Sequence, residues 1–375
     1  RDRLASRNTN RHLWLTFHRS SQQSQAMPKT ILLLMLCSLL SGCYVMQAAS
    51  GQWEVMRKRQ PIAEVIDDPA TPDDLVARLR LIDEARDFSI TELGLPDNSS
   101  YRSYADLERD FVVWNVTAAP EFSLQAKVWC FPVVGCVSYR GYFSKQDAIR
   151  ASERLRKSGL DVAVGGVVAY STLGKFSDPI LNTMMHWSDL RLVAVLFHEL
   201  AHQRLYVKND SRFNESFATA VEEFGLQRWL ELHGDSAEYD EYREQRDFQE
   251  QLTRTVNAAR DDLQQIYARD ISLPEMRALK HARLSELGET LKAVAIDAGR
   301  PVSAYPDTEL NNAHLALTGL YEGLLPQFRT LYRACDESLA RFYRAAEQLA
   351  DLDKPERDRQ LATGDLRCVV DGPDH

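Results

Sequence analysis

No CxxC pair occurs anywhere in the 375 residues, which excludes zinc held by cysteine in a finger or ribbon. Internal repeats and low-complexity tracts are also missing, so no repeat architecture needs to be considered. After one apolar run at residues 31–40 no long hydrophobic stretch follows, and no later segment reads as a membrane span. Basic charge is short as well. Six of the 45 Lys and Arg but only one of the 54 Asp and Glu lie in residues 1–42, leaving 39 basic against 53 acidic residues beyond them. A chain carrying that acidic excess is soluble and poorly suited to nucleic acid.

The apolar run has its own logic. From Met27 the chain reads "MPKTILLLMLCSLLSGC": one lysine, a short hydrophobic stretch, small residues, then Cys43. This is the layout of a secretory signal. The stretch "LSGC", with Ser41 and Gly42 just before the cysteine, resembles the bacterial lipobox, in which the cysteine is lipidated and becomes the mature N-terminus. Tyr44 occupies the place where an aspartate would suggest inner-membrane retention. The expected location is therefore the periplasmic face of the outer membrane, with the Cys43 lipid as the membrane attachment. Residues 1–26, polar and basic without periodicity, are expected to lie outside the folded protein.

Export makes the remaining cysteines candidates for disulfides. Cys130 with Cys136 would close a tight loop across "CFPVVGC", bent at Pro132 and Gly135, and Cys335 with Cys368 would tie down the tail. The alternative is four buried thiols. The expected organisation is a removed segment 1–42, a core 43–235 holding a small sheet and the site helices, and a helical region 236–375. "TPDDLVARLRLIDEARDFSITELG" reads as a helix capped by Thr71 or Asp73 and ended by Gly94. Segments "FVVWNVTA" and "KVWCFPVVGCVSYRGYF" are β-branched and aromatic, hence strands. "SKQDAIRASERLRKSG" is a helix between Ser144 and Gly159, and "LDVAVGGVVAYSTLG" returns to strand. From residue 188 the pattern is helical: two helices up to Gly234, two charged ones at 236–270 and 274–298, a linker at 299–312 and a last helical region at 313–352. The fold class is α+β, predominantly helical, with an active-site helix beside a small sheet.

The chemistry concentrates in "LFHELAHQRL". His198 and His202 stand four apart, so both imidazoles leave the same helix face and can grip one ion. Glu199 lies about 100° around the helix from His198, within reach of a water on that ion. The preceding "LVAVLF" is wholly apolar, which turns this face towards a core or cleft. Burying two histidines and a glutamate there without a metal would be costly, which argues against a pair of plain core histidines. The expected cofactor is one Zn²⁺ per chain, with Glu199 as general base. The next helix, after the short turn "LYVKNDSRF", offers Glu215 and Glu222, two turns apart on one face, as candidate third ligands. Glu223 reads as a surface acid.

Taken together, the lipobox, "VVAYSTLGKFSDPILNTM", "LFHELAHQRLYVKND" and "FNESFATAVEEFG" resemble a bacterial lipoprotein family of predicted zinc aminopeptidases over nearly all the mature chain. The resemblance implies a gluzincin-type fold and a metallopeptidase acting on peptides. It also implies His198, His202 and Glu215 as ligands, since "NESFA" is similar to the N-E-x-x-A pattern of that clan. Glu222 would then orient a histidine from behind. The G-x-M-E-N motif of the well-known glutamate-zincin aminopeptidases is absent.

The strand ahead of the active helix admits two readings: an exposed edge on which a peptide lies by strand addition, with Gly165 and Gly166 allowing close approach, or a buried strand with a bulge. Tyr170 at its end is the candidate oxyanion donor, with Tyr206 second to it. His186 reads as a loop or core residue. Two other functions stay open: a non-catalytic, zinc-stabilised scaffold, and an envelope endopeptidase. Glu199 speaks against the scaffold, which has no use for a base beside a metal.

Overall fold

The computed structural model describes residues 29–131, 135–169, 171–233, 236–301, 309–316, 323–364 and 366–368. Two units are separable, residues 1–46 and 47–375. What is described of the first is the opening stretch of helix α1 (Lys29–Lys58). Among the described residues no helix is long and apolar enough to cross a membrane. Within the second unit, α1 from Gln47 onward is fixed by the Gln47 amide, which donates to the Gly141 carbonyl and accepts from the Phe143 N–H.

The second unit is predominantly helical with small sheets, as its sequence pattern requires. Strand β1 (Arg59–Pro61) leads into α2 (Ile62–Asp67) and α3 (Asp73–Thr91). Neither expected cap starts α3: Pro72 precedes it, and the Thr71 hydroxyl instead donates back to the Val65 carbonyl. Gly94, with φ of 63°, ends the segment in the left-handed region as glycine allows. Strand β2 (Ser103–Ala105) pairs with β1 and with β8 (Ile180–Leu181). A second sheet is built from β3 (Val113–Pro120), β6 (Arg140–Tyr142) and β7 (Leu160–Val167), in the order β6–β3–β7. Between them β4 (Trp129–Phe131) and β5 (Gly135–Val137) form a hairpin in which Cys130 faces Cys136 and is bonded to it. Pro132 falls outside the described residues. Helix α4 (Lys145–Lys157), capped by Ser144, covers one face of the second sheet.

Helices α5 (Asp189–Arg204) and α6 (Ser211–His233) follow, then α7 (Ser236–Tyr267) and α8 (Leu273–Asp297), which pack together as a long hairpin. The expected last helix is broken into α9 (Asn312–Leu315), α10 (Leu325–Ala334) and α11 (Leu339–Asp351), and α12 (Lys354–Thr363) is added. The break after α10 comes at Asp336 and Glu337, both at positive φ, a turn no glycine announces. Cys335 and Cys368 are bonded there.

The main core draws on both sides of residue 235. Phe197 of α5 and Phe213 and Phe217 of α6 are fully buried with Phe328 of α10 and Phe342 of α11. Apolar burial of this kind contributes about 25 cal/mol per Å² and dominates the stability. The start of α6 is additionally pinned by polar contacts. Asn214 closes the loop by accepting from the Val207 N–H and donating to the Val207 carbonyl, both at 2.8 Å. Asp210 accepts from the Phe213 N–H and from Arg357 of α12 at 2.8 Å, and both partners of that ion pair are almost wholly buried. Removing one partner of such a pair strands the other's charge. Arg357→Met should therefore lower stability by about 3 kcal/mol, the low end of the range because Lys354 still reaches Asp210. Urea unfolding measures this, and an unchanged midpoint would show that Lys354 alone balances Asp210.

Candidate metal centre

Helix α5 begins where Ser188 accepts from the Arg191 N–H. Leu192, Val193, Leu196, Phe197, Leu200 and Ala201 are buried, and they consume one face and the flanks of the helix. What remains presents His198, Glu199 and His202 together, the rings of the two histidines 4.9 Å apart between centroids. Helix α6 returns alongside and brings Glu215 to them. Glu215 Oε2 lies 3.6 Å from His198 Nε2 and Oε1 lies 3.8 Å from His202 Nε2. One donor atom from each of the three residues falls within 4.8 Å of the others, and no second such group forms among the described residues.

These spacings suit an ion better than direct hydrogen bonds. A hydrogen bond would draw the atoms to about 2.9 Å. Donors around a tetrahedral zinc, each about 2.0–2.1 Å from it, stand roughly 3.4 Å apart. The tautomer suits it too. His198 Nδ1 meets Glu222 Oε2 at 3.0 Å, so Nδ1 carries a proton for Glu222 and Nε2 is the nitrogen left to face Glu215 and, once deprotonated, an ion. Glu222 thus grips the ring from behind while Glu215 faces its free nitrogen. The two candidates left open by the sequence occupy opposite ends of one imidazole.

The electrostatics are those of a crowded acidic site. Burial works against charge on His198, but Glu215 and Glu222 outweigh it and push the imidazole up to about 10. Burial first, and then His198, holds His202 down to about 4. Burial lifts Glu199 to about 7, with Glu215 and Asp178 adding to the rise. Burial opposes the charge of Glu215 as well, yet the two histidines keep it below its ordinary range. Three carboxylates share two imidazoles, a donor set and charge balance that fit a divalent cation.

His198 and Glu199 open into a cleft of about 1030 Å³. Part of its lining is Gly166 to Ala169, the end of β7 and the residues after it, and another part comes from α7 through Glu241, Tyr242 and Arg246. Among the described residues β7 pairs only with β3, in unbroken register from Pro120–Leu160 to Val113–Val167, so it is an edge strand without a bulge. The two glycines differ. A side chain at Gly165 would meet open space, whereas one at Gly166 would collide with the Phe111 ring. Gly166 is thus required by packing, and only Gly165 leaves room for an approaching chain.

Other expected residues fare unevenly. Tyr170 lies outside the described residues. Tyr206 is 49% exposed, within electrostatic range of Glu215 but not on the cleft wall. His186, read from sequence as a loop or core residue, lines the cleft. Glu223 is no surface acid: it is ion-paired with Arg246 of α7 at 3.2 Å and Arg329 of α10 at 2.6 Å. Missed altogether were Tyr101, Ser171 and Asp178, which act on Glu199 and carry no local sequence signal.

An H-E-x-x-H helix faced by a carboxylate of the following helix, beside a free strand edge, defines a peptidase-like site. The chain belongs to the family described as "Putative aminopeptidase", which matches residues 43–361. Comparison with curated proteins and with solved structures gave no match.

If Glu222 orients the ring of a ligand, Glu222→Ala should weaken zinc binding about 10–100-fold without abolishing it. Competition titration against a chromophoric chelator reads this directly. An empty site in Glu222→Ala with a loaded one in Glu215→Ala would exchange the two roles.

Proposed function

We propose that the protein is a zinc-dependent peptidase, cleaving amino-terminal residues from peptides in the bacterial periplasm. The observation that carries this reading is the convergence of His198, His202 and Glu215 with Glu199 beside an edge strand in one cleft. Family membership supports the peptidase class and supplies the amino-terminal preference. His198 and His202 would hold the ion through Nε2 and Glu215 through its carboxylate. When bound, zinc acts as a Lewis acid on the scissile carbonyl and lowers the pKa of a water.

The chain's own residues do the rest. Past Val162, whose carbonyl already accepts from Asn311 and Arg156, the edge of β7 would offer its backbone groups to an extended peptide docking by strand addition, with room at Gly165. Glu199 takes the proton of the attacking water and passes it to the departing amine. Burial raises its affinity for a proton, the direction that lets a carboxylate act as base and then as acid. Glu222 keeps the His198 ring from turning.

The roles of the two glutamates separate experimentally. Glu199→Gln should retain zinc near wild-type stoichiometry while hydrolysis falls about 10²–10⁴-fold, the usual share of a general base. Glu215→Ala should lose both metal and activity. Metal analysis and a peptide library with free and blocked amino termini test the assignment. A wild type that binds zinc and cleaves nothing would leave a zinc-stabilised scaffold instead, and equal cleavage of blocked peptides would make it an endopeptidase.

Anchoring to the outer membrane through lipid on Cys43 is part of the same proposal. It rests on "LSGC" after the apolar run and on a family match that begins at Cys43. Mass spectrometry of detergent-extracted protein should find Cys43 as an acylated N-terminus. A mature protein that begins elsewhere and leaves the cell with the soluble periplasmic fraction would refute the anchor.

A further inference from the structure

The cleft-facing side of α5 carries more than the histidines and Glu199. Arg191, Ala194, Val195, His198 and Glu199 all line the cleft. Counted from Arg191 they stand three, four, seven and eight residues on, the spacing of one helix face. A single stripe of α5 thus runs through the site. Arg191 lies two turns before His198, about 10 Å along the helix axis at 1.5 Å per residue. Between the two the stripe holds Ala194 and Val195, whose side chains neither donate nor accept a hydrogen bond.

Arg191 is held in place and yet unpaired. Its guanidinium lies over the Trp187 ring, 4.6 Å from the centroid. Trp187 packs against the main core, and its carbonyl accepts from Arg78 at 2.6 Å, so the ring that supports Arg191 is itself fixed. Stacking settles the plane of a guanidinium and leaves the N–H donors at its rim open. Among the described residues those donors have no ion-pair or hydrogen-bond partner. Neighbouring charges of the lining are engaged elsewhere: Arg78 with Asp189 at 3.6 Å, Arg246 with Glu223 at 3.2 Å, and Glu222 with His198 at 3.0 Å. Glu241 of α7 lines the cleft without pairing to Arg191. Arg300 lines it too, but from the turn after α8 and not from the ligand helix.

A planar cation held flat in a cleft suits a carboxylate, which it meets with two parallel hydrogen bonds. An extended peptide rises about 3.3 Å per residue, so about 10 Å corresponds to roughly three residues. Removal of an amino-terminal residue leaves a single residue on the amino side of the cut. A carboxylate that far from the ion therefore belongs to the carboxyl side, in the part of the peptide that departs. We propose that Arg191 is a specificity-determining residue that binds a substrate carboxylate about three residues beyond the scissile bond. That carboxylate is the terminus of a tetrapeptide or an acidic side chain at the fourth position of a longer peptide. The inference rests on the aminopeptidase reading of the site.

Tetraalanine with a free or an amidated carboxyl terminus probes the first source. Amidated alanine heptapeptides with Asp or Asn at the fourth position probe the second. The zinc-loaded protein should favour an acid over its neutral partner about 10–100-fold in kcat/KM, as charge-assisted hydrogen bonds allow. A preference confined to tetraalanine assigns the terminal carboxylate, and one confined to the heptapeptides assigns the side chain. In Arg191→Met, which keeps most of the stem, the ratio should fall to about one, while Arg191→Lys, without the planar fork, should keep part of it. The same ratio is read without turnover by calorimetric titration of the four peptides into Glu199→Gln protein. Equal handling of acids and neutral partners by the wild type overturns the inference. So does a preference that survives in Arg191→Met, or a Glu199→Gln protein that binds none of the four. Should the wild type cleave no peptide, the peptidase reading fails, while the calorimetric ratios still decide whether Arg191 binds a carboxylate.

Discussion

The site depends on the packing of α5 against α6. Gly225 of α6 sits where a side chain would come within 2.7 Å of Leu93 and 3.0 Å of Phe197, so the helices approach more closely than any larger residue would permit. That closeness fixes the register. Glu215 and Glu222 are seven residues apart and thus share a face, and the two of them bracket the His198 ring at Nε2 and Nδ1. Rotating α6 by one residue, about 100°, would turn both carboxylates away at once. A single helix–helix contact therefore places both carboxylates, one at each nitrogen of the His198 ring. The locks at Asn214 and Asp210 act on the first turn of α6, where Glu215 lies only one residue beyond Asn214 and fraying would cost most.

A charge argument complements the packing one. Burial alone would leave Glu199 and Glu215 protonated and both histidines neutral, yet only Glu199 and His202 move that way. His198 and Glu215 are pulled in the opposite direction by each other, because their mutual attraction exceeds the cost of desolvation. The result is an unequal set: one imidazole that attracts protons and one that resists them, beside carboxylates in excess. A divalent cation among them would take over the balancing role that the proton on His198 now fills, which is why metal binding to such a site releases protons.

The local features were legible in the sequence because they obey local periods. Two histidines four apart must share a helix face, and an apolar run ahead of them must bury it. Glu215 and Glu222 could be found by the same rule but not assigned, since the choice depends on the crossing of two helices. The cap of α3 differs from the expectation because the Thr71 hydroxyl turns back to donate to the Val65 carbonyl and Pro72, not a capping side chain, precedes the helix. The break after α10 was invisible because Asp336 and Glu337 adopt left-handed conformations without glycine. Tyr101 and Asp178 lie 98 and 21 residues from Glu199 in the chain. No spacing rule connects them, and only the docking of their loops brings them under the helix.

The neighbours Glu222 and Glu223 show how the fold joins the cleft to the candidate metal site. They point about 100° apart on α6, so they cannot serve the same partner. Glu222 supports His198 on the floor of the cleft. Glu223 draws Arg246 of α7 and Arg329 of α10 onto α6, and Arg329 reaches Glu250 of α7 as well. Arg246 belongs to the α7 part of the cleft lining. The α7 lining of the cleft is therefore tied by an ion pair to the same helix that carries Glu215 and Glu222. These pairs are largely shielded from solvent, where an unpaired charge is costly and the geometry is held tightly. A lining anchored in this way shares its support with the candidate ligands, so any shift of α6 would move both together.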